Sequence, residues 1–260
     1  MSSNMRFALT LLVTTCWLAT TTLAQEANRQ GRPSSNDVSD QPTDALIKRF
    51  EKAAIKRWSK DIAAFDKLNA NQKDNPDAVL FIGSSSIRRW DTMATDMTPY
   101  QTIRRGYGGA KYSDMAVFAK QIVQPHQYRA IVMFVGNGIV GSDDDLSIDE
   151  VECLTRHIIE QSQQHQSSAP FFIIEITPCK KRFDVWPTIR QANARLRKVA
   201  LTTPGTYFIP TAGNFLDTNT QPRSELFVDD QLHLNPDGYK LWSRLIKRRL
   251  ADVLGTPDEA

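Results

Sequence analysis

The sequence predicts an α/β protein, a three-layer α/β/α sandwich around a five-stranded parallel sheet. Two observations lead there. Short apolar runs, unbroken at residues 78–82 and 130–135 and interrupted only by Glu175 at 171–176, alternate with longer stretches of helical period. Strands that are apolar on both sides belong to a sheet covered on both faces, and helical connections make such a sheet parallel.

A helix comes first. Leu46, Phe50, Ala53, Ile55, Trp58, Ile62 and Phe65 recur at near-helical spacing among charged residues, and the pattern ends near Asn69-Ala70-Asn71. The first strand, 78–82, stops at Gly83, and a short second strand, 102–104, runs into Gly106. A helix is expected over 112–122, and the third strand, 130–135, precedes another over 148–164. Pro178 stops the fourth strand, 171–176. A helix over 188–200, a fifth strand over 207–209 and a last helix over 236–254 follow, with Asn235 or Asp237 near the start of that helix. Parallel sheets bind ligands outside the C-terminal ends of their strands. That rule singles out residues 83–86, 106–110 and 136–138, which each follow a strand and contain glycine.

With 260 residues, 41% hydrophobic and 23% charged, the chain suits one globular domain and can bury a core without disulfides or metals. Residues 1–24 read as a secretory signal peptide: Arg6, a mostly apolar uncharged stretch over 7–19, then small Thr22 and Ala24 where a signal peptidase cleaves. The apolar run is too short to span a bilayer, so the expected location is secreted or periplasmic with no stable membrane insertion after cleavage. Residues 25–41 are polar and read as a disordered linker, 42–254 as the domain and 255–260 as a tail. Loss of the leader lowers the formal charge from +3 to +2, and this small, scattered charge speaks against a nucleic-acid partner. Oligomeric state is left open.

Cys153 and Cys179 remain in the mature chain, and an exported protein permits either a bridge or two buried thiols. His126, His157 and His165 lack ligand-like spacing and no CxxC pair exists, so no zinc site or other cofactor is expected. Asp143-Asp144-Asp145 has carboxylates that suit calcium, but it reads first as a solvated loop. Trp90, Tyr107 and Trp186 lie near strand ends, where Tyr107 and Trp186 are candidates for stacking on a sugar.

Serine chemistry needs a nucleophile, a base, an orienter for the base and donors for the oxyanion. Ser84, Ser85 and Ser86 follow the first strand, although serines are common in turns. The GxSxG elbow of the α/β-hydrolase fold is absent. Asp230 and His233, three apart in a late loop, can set a carboxylate on one imidazole nitrogen and leave the other for a serine. Asp229 is a neighbouring alternative carboxylate. Gly108-Gly109 can present a backbone N–H, and Asn137 a side-chain donor; alone, each is ordinary turn chemistry.

Taken in order, these segments resemble the SGNH hydrolases, the GDSL-type esterases and lipases. Residues Gly83-Ser84-Ser85-Ser86-Ile87 look like a Gly-Ser-Ser-Ser-Ile variant of the first block, and Arg105-Gly106-Tyr107-Gly108-Gly109 like the second. Asp230-Gln231-Leu232-His233, followed by Leu234-Asn235, looks like the fifth. The third block, Gly136-Asn137-Gly138, departs from the family's Gly-x-Asn-Asp. Either a residue is deleted and Asn137 still serves, or Gly138 holds the Asn position and the donor is gone.

The resemblance implies a flavodoxin-like fold, with Ser85 as nucleophile, His233 as base and Asp230 as its orienter. It also implies an oxyanion hole of the Ser85 and Gly109 N–H groups with Asn137. The expected activity is hydrolysis of a small-molecule or polysaccharide ester, such as O-acetylated carbohydrate, through an acyl-enzyme. The alternative is a weakened or inactive carbohydrate-binding or structural protein on the same scaffold.

Overall fold

The computed structural model describes residues 37–71 and 75–255. The expected signal peptide, most of the expected linker and nearly all of the tail lie outside the described residues. Pro42 to Ala260 form one compact unit and Met1 to Gln41 another, of which only the start of the first helix is described.

Helix α1 runs Asp37–Asn71 and so begins inside the stretch that composition reads as linker. Its buried stripe is Leu46, Phe50, Ala54, Trp58, Ile62 and Phe65, a spacing of four and then three that keeps one face on the core. Ala54 takes the place expected for Ala53, and Ile55 is 46% exposed, since a residue one step along a helix turns by about 100°. At the far end, Asn69 Oδ1 accepts two hydrogen bonds from the Arg105 guanidinium, at 3.0 and 2.6 Å.

The strands are β1 Val79–Gly83, β2 Thr102–Gly106, β3 Ala130–Phe134, β4 Phe171–Ile174 and β5 Thr206–Ile209. All pair in parallel, in the order β2-β1-β3-β4-β5. The fold is therefore the α/β/α sandwich that the apolar runs predict. Between them come α2 Ser85–Arg88, α3 Met93–Asp96, α4 Tyr112–Val123, α5 Ile148–His165, α6 Trp186–Thr202 and α7 Pro236–Leu254.

Alternation along each strand builds two cores. Leu80, Ile82, Ile131, Met133, Phe171 and Ile173 face one way, with residues of α1, α4, α5 and α6. Val79, Phe81, Val132, Phe172 and Ile174 face the other, with Trp90 and with Trp242, Ile246 and Leu250 of α7. Both faces are dry, which is why these strands read as continuous apolar runs rather than alternating ones.

Connection order places the site. From β1 the chain goes to one side for β2, then crosses β1 to reach β3. The C-terminal ends of β1 and β3 flank this reversal, where parallel sheets leave a crevice. Gly83 registers with Gly106 on one side and Phe134 on the other, so three loops leave the sheet at one level.

Several sequence expectations change here. Trp90 and Tyr107 are fully buried, so Tyr107 is not available for sugar stacking; it meets Trp58 edge-on at 5.1 Å. Both thiols are free: Cys153 on α5 contacts Thr43 Oγ1 at 3.2 Å, and Cys179 is buried. Asp145 Oδ2 accepts the N–H groups of Val140, Gly141 and Ser142 at 2.8, 2.7 and 3.3 Å, so that carboxylate closes its own loop.

Candidate active site

The first loop turns sharply because of Gly83. Its φ is +146°, and a Cβ there would sit 2.0 Å from the Phe134 carbonyl oxygen. Ser84 is buried and its N–H bonds that same oxygen at 3.0 Å. Ser85 then opens the short helix α2, where the first N–H groups have no intrahelical acceptor. Tyr239 of α7 donates its hydroxyl to the Ser86 carbonyl at 2.9 Å and stacks on Trp90 at 5.3 Å, pinning the turn from beneath.

The late loop is equally constrained. An antiparallel bridge between Phe227 and Leu234 closes residues 228–233 into a tight excursion, with Gln231 at φ +53°. Asp230 Oδ1 accepts the N–H groups of Leu232 and His233, each at 2.9 Å. Its Oδ2 lies 2.6 Å from His233 Nδ1. Beyond the loop, Asn235 caps α7 by accepting from the N–H groups of Asp237 and Gly238.

The two loops, 148 residues apart in sequence, meet at one hydrogen bond: His233 Nε2 lies 2.9 Å from Ser85 Oγ. With Nδ1 against a carboxylate, the proton belongs on Nδ1, and Nε2 is left to accept from the serine hydroxyl. Desolvation pushes the Asp230 carboxyl up, but the His233 and Leu232 N–H groups and the imidazole outweigh it, bringing it to about 2. Asp230, and not the neighbouring Asp229, makes this contact. Arg89 approaches the outer side of Asp230 at 3.5 Å.

In the third block, Asn137 and not Gly138 lines the cavities beside Ser85. Asn137 shares two concavities with Ser85 and His233. Gly138 faces inward, where a Cβ would meet the Tyr112 ring at 3.0 Å. The Asn137 amide is held from both ends. Arg182, from the 3-10 segment Lys180–Val185, donates to Asn137 Oδ1 and to the Gly136 carbonyl. Asn137 Nδ2 donates to the Ala110 carbonyl at 3.3 Å. An amide nitrogen has two hydrogens, so one remains for the cleft. Gly109, at φ +77°, lines that cleft beside Ser85.

Arg182 is a residue that sequence reading misses. It lies 45 positions beyond Asn137, and no spacing rule marks it. Burial lowers its pKa, opposed by Cys179 and Asp145.

The two concavities differ in character. One, of about 30 Å³, is enclosed by Phe134, Ile176, Cys179, Ile189, Phe227 and Trp242. The other, about 300 Å³ and open, is lined by Trp58, Asp61, Arg88, Arg89 and Gly108. Trp58, which helical spacing turns toward the core, also walls this cleft. A larger groove of about 890 Å³ runs along β5, α6 and α7, but it contains no nucleophile with a base. Among the described residues, no group of histidine, cysteine, aspartate and glutamate is placed to hold a metal ion.

This fold and these motifs define an SGNH-type hydrolase on a three-layer α/β/α scaffold. The model of the GDSL-like Lipase/Acylhydrolase family matches residues 72–241, and the chain belongs to that family. No curated protein matches the sequence. Among solved structures, a Streptococcus pneumonia protein provisionally described as a platelet activating factor superposes with a TM-score of 0.67 at 19% identity. That match covers 78% of this chain and 97% of the other. A GDSL-like lipase from Bacteroides thetaiotaomicron gives 0.63 at 16% identity over 74% and 97% of the two chains. A carbohydrate esterase family 3 structure from Talaromyces cellulolyticus gives 0.53 at 13% identity over 68% and 98%. At these identities the likeness speaks for the fold.

Proposed function

We propose that this protein is an exported serine ester hydrolase that cleaves short acyl groups, such as O-acetyl groups on carbohydrate, through an acyl-enzyme. The observation that carries the reading is the relay from Ser85 Oγ to His233 Nε2 at 2.9 Å and from Nδ1 to Asp230 at 2.6 Å. A binding module has no use for this alignment.

In the first half-reaction His233 Nε2 takes the Ser85 proton while Oγ bonds to the ester carbonyl carbon. Negative charge builds on the carbonyl oxygen, which the N–H groups of Ser85 and Gly109 and the Asn137 amide stabilise. Collapse breaks the bond to the alcohol, which leaves with the proton from His233. Water then attacks the acyl-enzyme, His233 accepts its proton, and the acid departs with Ser85 restored. Asp230 keeps the proton on Nδ1 and stabilises the imidazolium in each half. No metal or organic cofactor enters these steps.

Short acyl groups suit the enclosed cavity. At about 30 Å³ it holds an acetyl methyl and little more. Export rests on the leader-like residues 1–24. Among the described residues, no helix is long and apolar enough to cross a membrane.

Labelling with a fluorophosphonate tests the reading without knowledge of the substrate. Modification at Ser85, mapped by mass spectrometry and abolished in His233→Ala, is the expected result. A folded protein that resists labelling and hydrolyses no acetyl ester overturns it.

A further inference from the structure

The open cleft outside Ser85 carries more positive charge than the proposed reaction needs. Arg88 and Arg89 both line it. Arg88 lies flat against Gly108, where a Cβ would stand 2.9 Å from the guanidinium carbon. Any side chain at 108 would push that guanidinium away. Arg57 reaches the same rim from α1: a Cβ on Gly109 would stand 3.4 Å from its Nη2. Its guanidinium also rests over the Trp58 ring at 4.6 Å.

Among the described residues, neither Arg57 nor Arg88 has a carboxylate partner. Arg89 touches Asp230 only at 3.5 Å, and Asp230 is committed to His233. Asp61 is the one acid among the residues lining the cleft. Against the carboxylates of Asp61 and Asp230, the guanidinium groups of Arg57, Arg88 and Arg89 leave an excess of positive charge at this mouth, which a bound anion offsets. Guanidinium forks match carboxylate and phosphate oxygens two at a time.

We infer that the alcohol portion of the substrate is anionic: an acyl ester of a hydroxylated acid, such as a sugar acid, whose negative group is seated by Arg88 and Arg57. This rests on the hydrolase reading above. The small apolar cavity takes the acyl group and the open cationic cleft takes the alcohol.

The test compares kcat/KM for 4-acetoxybenzoate and its neutral amide, 4-acetoxybenzamide, with an O-acetylated hexuronate and an O-acetylated sugar phosphate as further arms. We expect the wild type to favour the anionic ester by about tenfold at low ionic strength, equivalent to about 1.4 kcal/mol. In Arg57→Gln/Arg88→Gln the ratio falls toward one, and in the wild type added salt lowers it, since these charges are exposed. The hexuronate and phosphate arms show whether carboxylate or phosphate is the better fit. Hydrolysis of both acetyl esters with no anionic preference, or with a preference the double variant retains, overturns the inference alone. Hydrolysis of neither, with no fluorophosphonate labelling, overturns the hydrolase reading and this inference together.

Discussion

Arg182 holds Asn137 by its amide oxygen while also bonding the carbonyl of Gly136, the residue before it. That double grip fixes which end of the amide faces the cleft. Replacing Asn137 by alanine removes an oxyanion donor and should lower kcat by about 10²–10³. Arg182→Met should lower kcat by roughly 10- to 100-fold with a smaller change in KM, because a misplaced donor is lost mainly in the transition state. Arg182→Lys should restore little, since a single ammonium cannot span both oxygens in the same plane. Steady-state kinetics on an acetyl ester decide it; an Arg182→Met enzyme with wild-type kcat would refute the positioning role.

Ser85 and His233 act as one unit if the acyl-enzyme mechanism holds. Ser85→Ala and His233→Ala should each reduce kcat by about 10⁴ or more, and the double variant should be no worse than either alone. Additive losses in the double variant would show that the two residues contribute independently.

Asp230 couples the site to acid stability. Its folded pKa of about 2 lies below that of an unfolded aspartate, about 3.9. A depressed carboxylate contributes stability that is fully present above the unfolded value and lost as pH falls through the folded one. The wild type should therefore lose its advantage over Asp230→Asn between about pH 4 and pH 2, and the gap should be constant above that window. Urea midpoints for both proteins from pH 7 to pH 2 measure this. The Asp230 side chain is 43% exposed, so solvent screening keeps the effect below what the pKa gap alone suggests.

Gly83 should tolerate no side chain. A Cβ would lie 2.0 Å from a backbone oxygen that cannot swing away, at a φ of +146°. Gly83→Ala should cost more than about 3 kcal/mol, read as a lowered denaturation midpoint or failure to accumulate as soluble protein. Gly213→Ala, where no atom lies within 4 Å of the new Cβ, is the matched control and should leave the midpoint unchanged.

Acyl length should be discriminated sharply. The cavity of about 30 Å³ is walled by buried side chains of the sheet and α7. From acetate to butyrate, kcat/KM should fall by about tenfold or more, since each extra methylene must displace packed atoms. A flat profile across a series of 4-nitrophenyl esters would place the acyl group elsewhere.

Much of the fold was legible in the sequence. Apolar runs marked β1, β3 and β4, short segments before Gly106 and at 207–209 marked the other two strands, and the final helix begins and ends where its pattern does, at Pro236 and Leu254. Strand ends were less clear: β4 stops at Ile174, two residues short of the expected end, where Glu175 interrupts the apolar residues and Ile176 leaves the ladder for a side chain. Their N–H groups bond the Ile209 carbonyl and Asn193 Oδ1. The serine turn, the glycine turn and the Asp230–His233 loop were also visible, because each carries its chemistry within a few residues.

By itself, then, the sequence determined the alternation of strands and helices, the loops that can hold chemistry, and the presence of a carboxylate three or four residues before His233. Those follow from local periodicity and short-range turn geometry. Tertiary structure decided the rest. It brought His233 to Ser85 across 148 residues, set Asn137 rather than Gly138 at the wall of the cleft, and supplied Arg182 as its anchor. It also buried Tyr107, left both thiols free, and gathered Arg57, Arg88 and Arg89 at one mouth. These depend on which loops the crossover at β1 and β3 brings together, and no local pattern encodes a meeting between segments so far apart in the chain.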